Sequence, residues 1–221
     1  MHALKTSFNS NPNIGLYGIA TDEYCLLGLD VPKKSAEKIS KTLEVPIYRL
    51  NICGTSLWGV FCAANNNCLL VPSIAFDSEL RALKKLGINY KVIRTKQTAL
   101  GNNILCNNTG CLVNPEFSAD TKKEIRLALN VKLRPGTIAG LEHVGALGAV
   151  NQTAGVVHQD VTKEEIEYLG DALEIDISTG TISFGTPYIR SGLLVNSKGF
   201  AISSSSTPIE IQNVYDTFKN K

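Results

Sequence analysis

Polar and apolar positions along this chain follow a long repeat. Five times, an apolar stretch containing a glycine runs through a short polar turn into a second apolar stretch, and a helical pattern follows. The copies read Ile14-Gly15-Leu16 to Leu27, Trp58-Gly59-Val60 to Pro72, Leu100-Gly101-Asn102 to Pro115, Val144-Gly145-Ala146 to His158, and Ser191-Gly192-Leu193 to Ile202. Their glycines lie 44, 42, 44 and 47 residues apart, so five near-equal steps account for almost the whole chain. The turns are polar: Thr21-Asp22-Glu23, Asn65-Asn66-Asn67, Asn107-Asn108-Thr109-Gly110, Asn151-Gln152-Thr153 and Asn196-Ser197-Lys198-Gly199. Asn and Gly tolerate the backbone conformations of tight turns, so each copy reads as a β-hairpin.

After each hairpin, apolar residues recur at helical spacing, as in Ala36, Ile39, Leu43 and in Ile166, Leu169, Leu173. Thr121 with Glu124, Thr162 with Glu165, and Thr207 with Glu210 fit a capping box. Pro208 suits a first helical position, Asp77 or Ser78 is expected to cap the second helix, and Pro32 opens the first. A short strand then follows at Ile47–Leu50, Tyr90–Ile93, Val131–Leu133 and Ile175–Ile177, giving a β-β-α-β unit. The fifth unit lacks this last strand, whereas Ala3–Phe8 precedes the first unit with nothing to pair with. The N-terminal strand is therefore expected to complete the fifth unit and close a ring, removing the exposed edges of an open array. The expected fold class is α/β, a propeller of five repeats (13–52, 53–95, 96–138, 139–182 and 183–218) about a pseudo-fivefold axis, in one domain spanning 1–221.

Composition narrows the function classes. Charged residues make up 19% and the formal net charge is only +2, which fits badly with a protein that wraps nucleic acid, DNA included. Lys33, Lys34, Lys38 and Lys41, with Lys84 and Lys85, read as solvated helix faces. No stretch suits a membrane span and the N-terminus lacks a signal-peptide layout, so a cytoplasmic protein is expected. None of the six cysteines forms a C-x-x-C pair, which argues against a zinc site. Cys62 and Cys68 flank one turn, and Cys106 and Cys111 another. A cross-strand disulfide is open at either, with reduced thiols the better reading.

Enzyme signals are poor. No phosphate-binding glycine loop is present, and His158-Gln159-Asp160 is a local His–carboxylate pair, with turn or surface placement expected for it. Neither catalytic residues, a cofactor nor a metal is expected. A ring offers a better binding signal, because equivalent residues gather on one face around the axis. The residues after the anchor glycines are Leu16, Val60, Asn102, Ala146 and Leu193. Leu16, Val60 and Leu193 either fill the centre or face a partner, and the polar Asn102 is expected to be exposed. Thr55, Trp58, Leu147, Tyr188 and Arg190 lie around them, with aromatic and arginine types that interface centres favour.

The chain resembles the translation initiation factor six family, whose fold is the pentein ring. The resemblance rests on Asn13-Ile14-Gly15, on Thr98-Ala99-Leu100-Gly101-Asn102 with Leu112-Val113-Asn114-Pro115, on Ile189-Arg190-Ser191-Gly192 and on Thr207-Pro208-Ile209-Glu210. It implies a non-enzymatic, monomeric factor that binds the large ribosomal subunit at its intersubunit face. There it would sit on an intersubunit-bridge ribosomal protein near the sarcin–ricin loop of the rRNA, block joining of the small subunit, and act also in large-subunit biogenesis. It further implies a ribosome-facing patch at Thr55, Val60, Asn102, Leu147 and Tyr188; eukaryotic members carry a basic residue where Val60 stands. Lacking their serine-containing tail, the chain is expected to be of the archaeal type. Other pentein proteins are guanidino-modifying enzymes with a late catalytic cysteine, whereas the last cysteine here is Cys111.

Overall fold

In a computed structural model, residues 1–219 are described; the last two positions of the expected 1–221 domain lie outside them. In chain order the elements are β1 (His2–Thr6), β2 (Gly18–Ala20), β3 (Cys25–Leu27), α1 (Lys33–Leu43) and β4 (Ile47–Arg49); then α2 (Trp58–Phe61), β5 (Ala63–Ala64), β6 (Leu69–Pro72), α3 (Asp77–Lys85) and β7 (Tyr90–Ile93). They continue with α4 (Leu100–Asn103), β8 (Ile104–Cys106), β9 (Gly110–Val113), α5 (Ala119–Leu129) and β10 (Lys132–Pro135); then β11 (Gly148–Val150), β12 (Ala154–His158), α6 (Lys163–Leu173) and β13 (Asp176–Gly180); and finally β14 (Leu193–Val195), β15 (Gly199–Ser203) and α7 (Pro208–Lys219). Five three-stranded sheets result, each an antiparallel hairpin joined by a parallel third strand, which in the first four returns through a helix. In the fifth sheet the third strand is β1, which pairs parallel with β15 from His2 opposite Gly199 to Thr6 opposite Ser203. The N-terminal strand closes the ring.

Each hydrophobic cluster lies between consecutive units rather than within one. Ile19, Leu26, Trp58 and Leu69 share a cluster from units one and two, and Ile14, Leu27, Leu194 and Ala201 share another from units one and five. No unit could bury its apolar face alone, which is why the repeat must run full circle. The middle strands β3, β6, β9, β12 and β15 are buried throughout, so they read as continuous apolar runs.

At one end of the axis the hairpin turns interlock. The Asn65 side chain accepts from the Asn67 and Cys68 amides of its own turn, while its Nδ2 donates to the Asn107 and Leu129 carbonyls of the next unit. Asn107 repeats this toward Leu173, and Asn196 closes the circle with bonds to the Thr21 and Leu43 carbonyls. Asn65, Asn107, Asn151 and Asn196, which open these turns, are buried and partnered, so here they hold units together.

Three expectations are corrected. Ser118, not Thr121, caps α5, accepting from the Thr121 amide; the helix starts one turn earlier than the Thr–Glu spacing suggests. The α3 helix begins at Asp77 itself, with Glu79 accepting from the Phe76 amide, so neither Asp77 nor Ser78 is the cap. The third is the register of the fifth unit. A Cβ at Gly59, Gly101 or Gly145 would collide with the carbonyl of the anchor glycine one unit earlier, and one at Gly15 would collide with the Arg190 carbonyl. Arg190, not Gly192, is therefore the fifth anchor, and Ser191, not Leu193, follows it. Leu193 is buried at the start of β14.

Candidate functional site

The anchor turns gather at the end of the axis opposite the asparagine ring. All five residues that follow the anchors (Leu16, Val60, Asn102, Ala146 and Ser191) line one open depression of about 600 Å³ there. Repeat geometry alone brings them together, since each sits in the turn just before the first hairpin strand of successive units. The wall on one side carries His143, Thr186 and Tyr188.

Asn102 is held by its backbone. Its amide donates to the Ala99 carbonyl, and its carbonyl accepts from the Gly145 and Ala146 amides of the next unit. Among the described residues its side-chain amide makes no hydrogen bond within the chain, unlike its neighbour Asn103, whose Nδ2 donates to the Ala99 carbonyl at 2.9 Å. Two donors and an acceptor thus face the depression unused.

The five residues of the expected patch divide. Val60, Asn102 and Tyr188 line the depression, and Tyr188 is 50% exposed. Thr55 sits to one side on the turn bridging Ile52 and Thr55. Its hydroxyl is occupied internally, donating to the Ile52 carbonyl and accepting from the Leu57 amide. Leu147 borders the depression too, but it has no exposed surface and packs into the core cluster of units three and four. Of two further candidates, Trp58 is core, with its indole donating to the Leu50 carbonyl. Arg190 borders both the depression and a small axial cavity; its Nε donates to the Gly59 carbonyl, and burial lowers its pKa from the ordinary arginine value.

Sequence reasoning missed the turn tips beside the depression. Leu141 (44% exposed) and Phe184 (80% exposed) project from turns in which Ala139, Ser183 and Phe184 adopt positive φ. Apolar side chains at strained positions need support, and two carboxylates supply it. Glu165 accepts from the Ala139 and Gly140 amides and the Thr137 hydroxyl, besides capping α6. Glu210 does the same for Phe184, Gly185 and Thr181 while capping α7. For both, burial opposes ionisation, but the converging hydrogen bonds outweigh it and hold the carboxyl below its ordinary pKa. The Thr-x-x-Glu pairs were legible as caps; their reach about 25 residues back was not.

Other chemistry is sparse. Of the turn or surface placement expected for His158, the turn is what is found: the side chain is buried, and its Nδ1 accepts from the Asp160 amide within the turn. All six cysteines are free thiols, and burial pushes those of Cys25, Cys62 and Cys111 up. Only one of the two sulfur pairings suits the register: Cys106 faces Cys111 across the strands, whereas Cys68 lies opposite Asn65. Among the described residues no group of three or more His, Cys, Asp or Glu is arranged to hold a metal, and no helix is long and apolar enough to cross a membrane.

Comparison with known proteins adds a family. The sequence model of the eIF-6 family matches residues 3–217. "Translation initiation factor 6" of Pyrococcus abyssi is 36% identical over 220 residues, covering 97% of each chain. That of Methanococcus vannielii is 34% identical over 218 residues, covering 96% of each. Among solved structures, a mutant DDAH from Pseudomonas aeruginosa complexed with citrulline matches at 11% identity and a TM-score of 0.46, covering 76% of this chain and 68% of that one. A likeness that distant carries no functional argument.

Proposed function

The chain belongs to the eIF-6 family of translation initiation factors, and from that premise we propose that it binds the large ribosomal subunit at its intersubunit face and sterically keeps the small subunit from joining. The observation that carries this reading is the match across residues 3–217, taken with the depression in which Val60, Asn102 and Tyr188 come together. A steric mechanism asks for a rigid body with one adhesive face. The closed ring supplies the body, and the depression with its flanking turns supplies apolar surface (Leu16, Leu141, Phe184) beside free polar groups (Asn102, Tyr188). That mixture suits a folded protein surface better than a phosphate backbone. The partner surface is an intersubunit-bridge ribosomal protein near the sarcin–ricin loop.

On this reading the protein is a cytoplasmic monomer without enzymatic activity, and it acts also in large-subunit biogenesis. Sedimentation of mixed subunits tests it. With the protein present, it co-migrates with the large subunit and joined particles decrease. Unchanged joining at saturating protein would refute it.

A further inference from the structure

Cys106 and Cys111 occupy directly opposed positions in the β8–β9 hairpin. The neighbouring pair is hydrogen-bonded, with the Asn107 amide donating to the Gly110 carbonyl at 3.1 Å, which makes the cysteine pair a non-hydrogen-bonded one. Such pairs have Cα atoms about 4.5 Å apart with side chains on the same face, within the span a disulfide bridges.

The two thiols have different surroundings. Cys111 is fully buried in the core between units two and three. Cys106 is half-buried, with its Sγ 3.4 Å from the Ala64 carbonyl, and it lines an axial cavity of about 50 Å³, room for a water-sized molecule. Arg190 enters that same cavity. The facing Cys111 thiol, with the Arg190 guanidinium acting in the same direction, outweighs burial and holds the Cys106 thiol below the ordinary cysteine value. The half-buried Cys53 shows the contrast, its thiol pushed up to about 12 by burial and Glu79. An arginine in place of an anchor glycine thus puts a cation beside one thiol of a facing pair.

We propose that Cys106 and Cys111 are a reversible oxidation site that forms an intrahairpin disulfide on exposure to a small peroxide. The Cys106 thiolate attacks one peroxide oxygen; the O–O bond breaks, and the products are a Cys106 sulfenic acid and, after protonation, water. The Cys111 sulfur then attacks the sulfenic sulfur, the S–S bond forms, and a second water leaves with the Cys111 proton. The thiol pair loses two electrons and the peroxide gains them. The site requires nothing of the ribosome-binding reading.

The test uses the whole native protein, reduced and then treated with hydrogen peroxide at neutral pH. Free thiols are then alkylated and the peptides mapped. The expected result is a single peptide carrying both Cys106 and Cys111, lighter by two hydrogens and unalkylated, restored by dithiothreitol, while Cys53 stays alkylatable. In Cys111→Ser, oxidation should halt at Cys106 as a sulfenic acid captured by dimedone, with Cys111→Ala and a melting curve guarding against misfolding. Two results would overturn the proposal: alkylation of both cysteines after peroxide treatment, or oxidation of Cys53 ahead of the pair.

Discussion

Glu210→Gln probes the link between helix capping and the docking face. Glu210 is only 6% exposed, and its carboxylate accepts five hydrogen bonds: from the Thr207 amide (2.7 Å) and hydroxyl, from the Phe184 and Gly185 amides (3.1 and 2.8 Å), and from the Thr181 hydroxyl. Glutamine keeps one acceptor oxygen and turns the other toward those donors as an NH₂ group. At least two bonds are lost, each contributing roughly 1.5–3 kcal/mol with a charged acceptor, for a total of about 3–6 kcal/mol. In a chain of this length that lowers Tm by roughly 6–24 °C. The depressed carboxyl adds a pH signature. Its stabilisation is complete above the ordinary value of 4.5 and fades as pH falls through the lower folded value. The melting gap between the wild type and Glu210→Gln should therefore be full at neutral pH and narrow in acid below that value. The Phe184 turn should loosen as well, and binding to large subunits should weaken. Equal melting temperatures at neutral pH, or a gap that does not narrow in acid, would refute the clamp.

Asn102→Ser should weaken binding to the large subunit by roughly 5- to 150-fold, while stability changes by less than about 1 kcal/mol; a binding titration and a melting curve on the same variant separate contact from fold. Deleting residues 1–8 strips the parallel partner from β15 over five register positions, at roughly 1 kcal/mol per lost hydrogen bond. It also leaves an exposed edge, so a large fall in Tm is expected, and an unchanged melting curve would contradict closure by the first strand.

How far the fold and the site could be read in advance depended on what each residue type reports. The five steps were visible because two crowding constraints recur. The anchor glycine exists because the preceding unit's backbone packs where a Cβ would stand, and the turn asparagines exist because each bonds across to its neighbour. Unit five broke the first signal. Its anchor carries an arginine, and Gly192, two residues later, stands against the Ile182, Ser183 and Ser203 side chains instead, so counting glycines shifted the register and put Leu193 on the face in place of Ser191. Leu147 shows a different limit: it borders the depression one residue after Ala146, yet its side chain is packed into the core of units three and four, and only the folded ring reveals that burial. The turn clamps were beyond reach, because Glu165 and Glu210 meet partners about 25 residues upstream that only the folded ring brings near.

The two ends of the axis use the same chemistry in opposite ways, and that difference bears on where a partner binds. At the turn end, Asn65, Asn107, Asn151 and Asn196 are buried, with their amides bonded within the turn and across to the next unit. A partner there would have to compete with bonds that hold the ring closed. At the anchor end, Asn102 leaves its side chain unbonded among the described residues, and the exposed apolar tips Leu141 and Phe184 are fixed by carboxylates behind them. Binding there costs no internal hydrogen bond and little ordering of the turns, because the conformation is already set before contact. Substitution at Asn196 should accordingly damage stability, and substitution at Asn102 should damage binding.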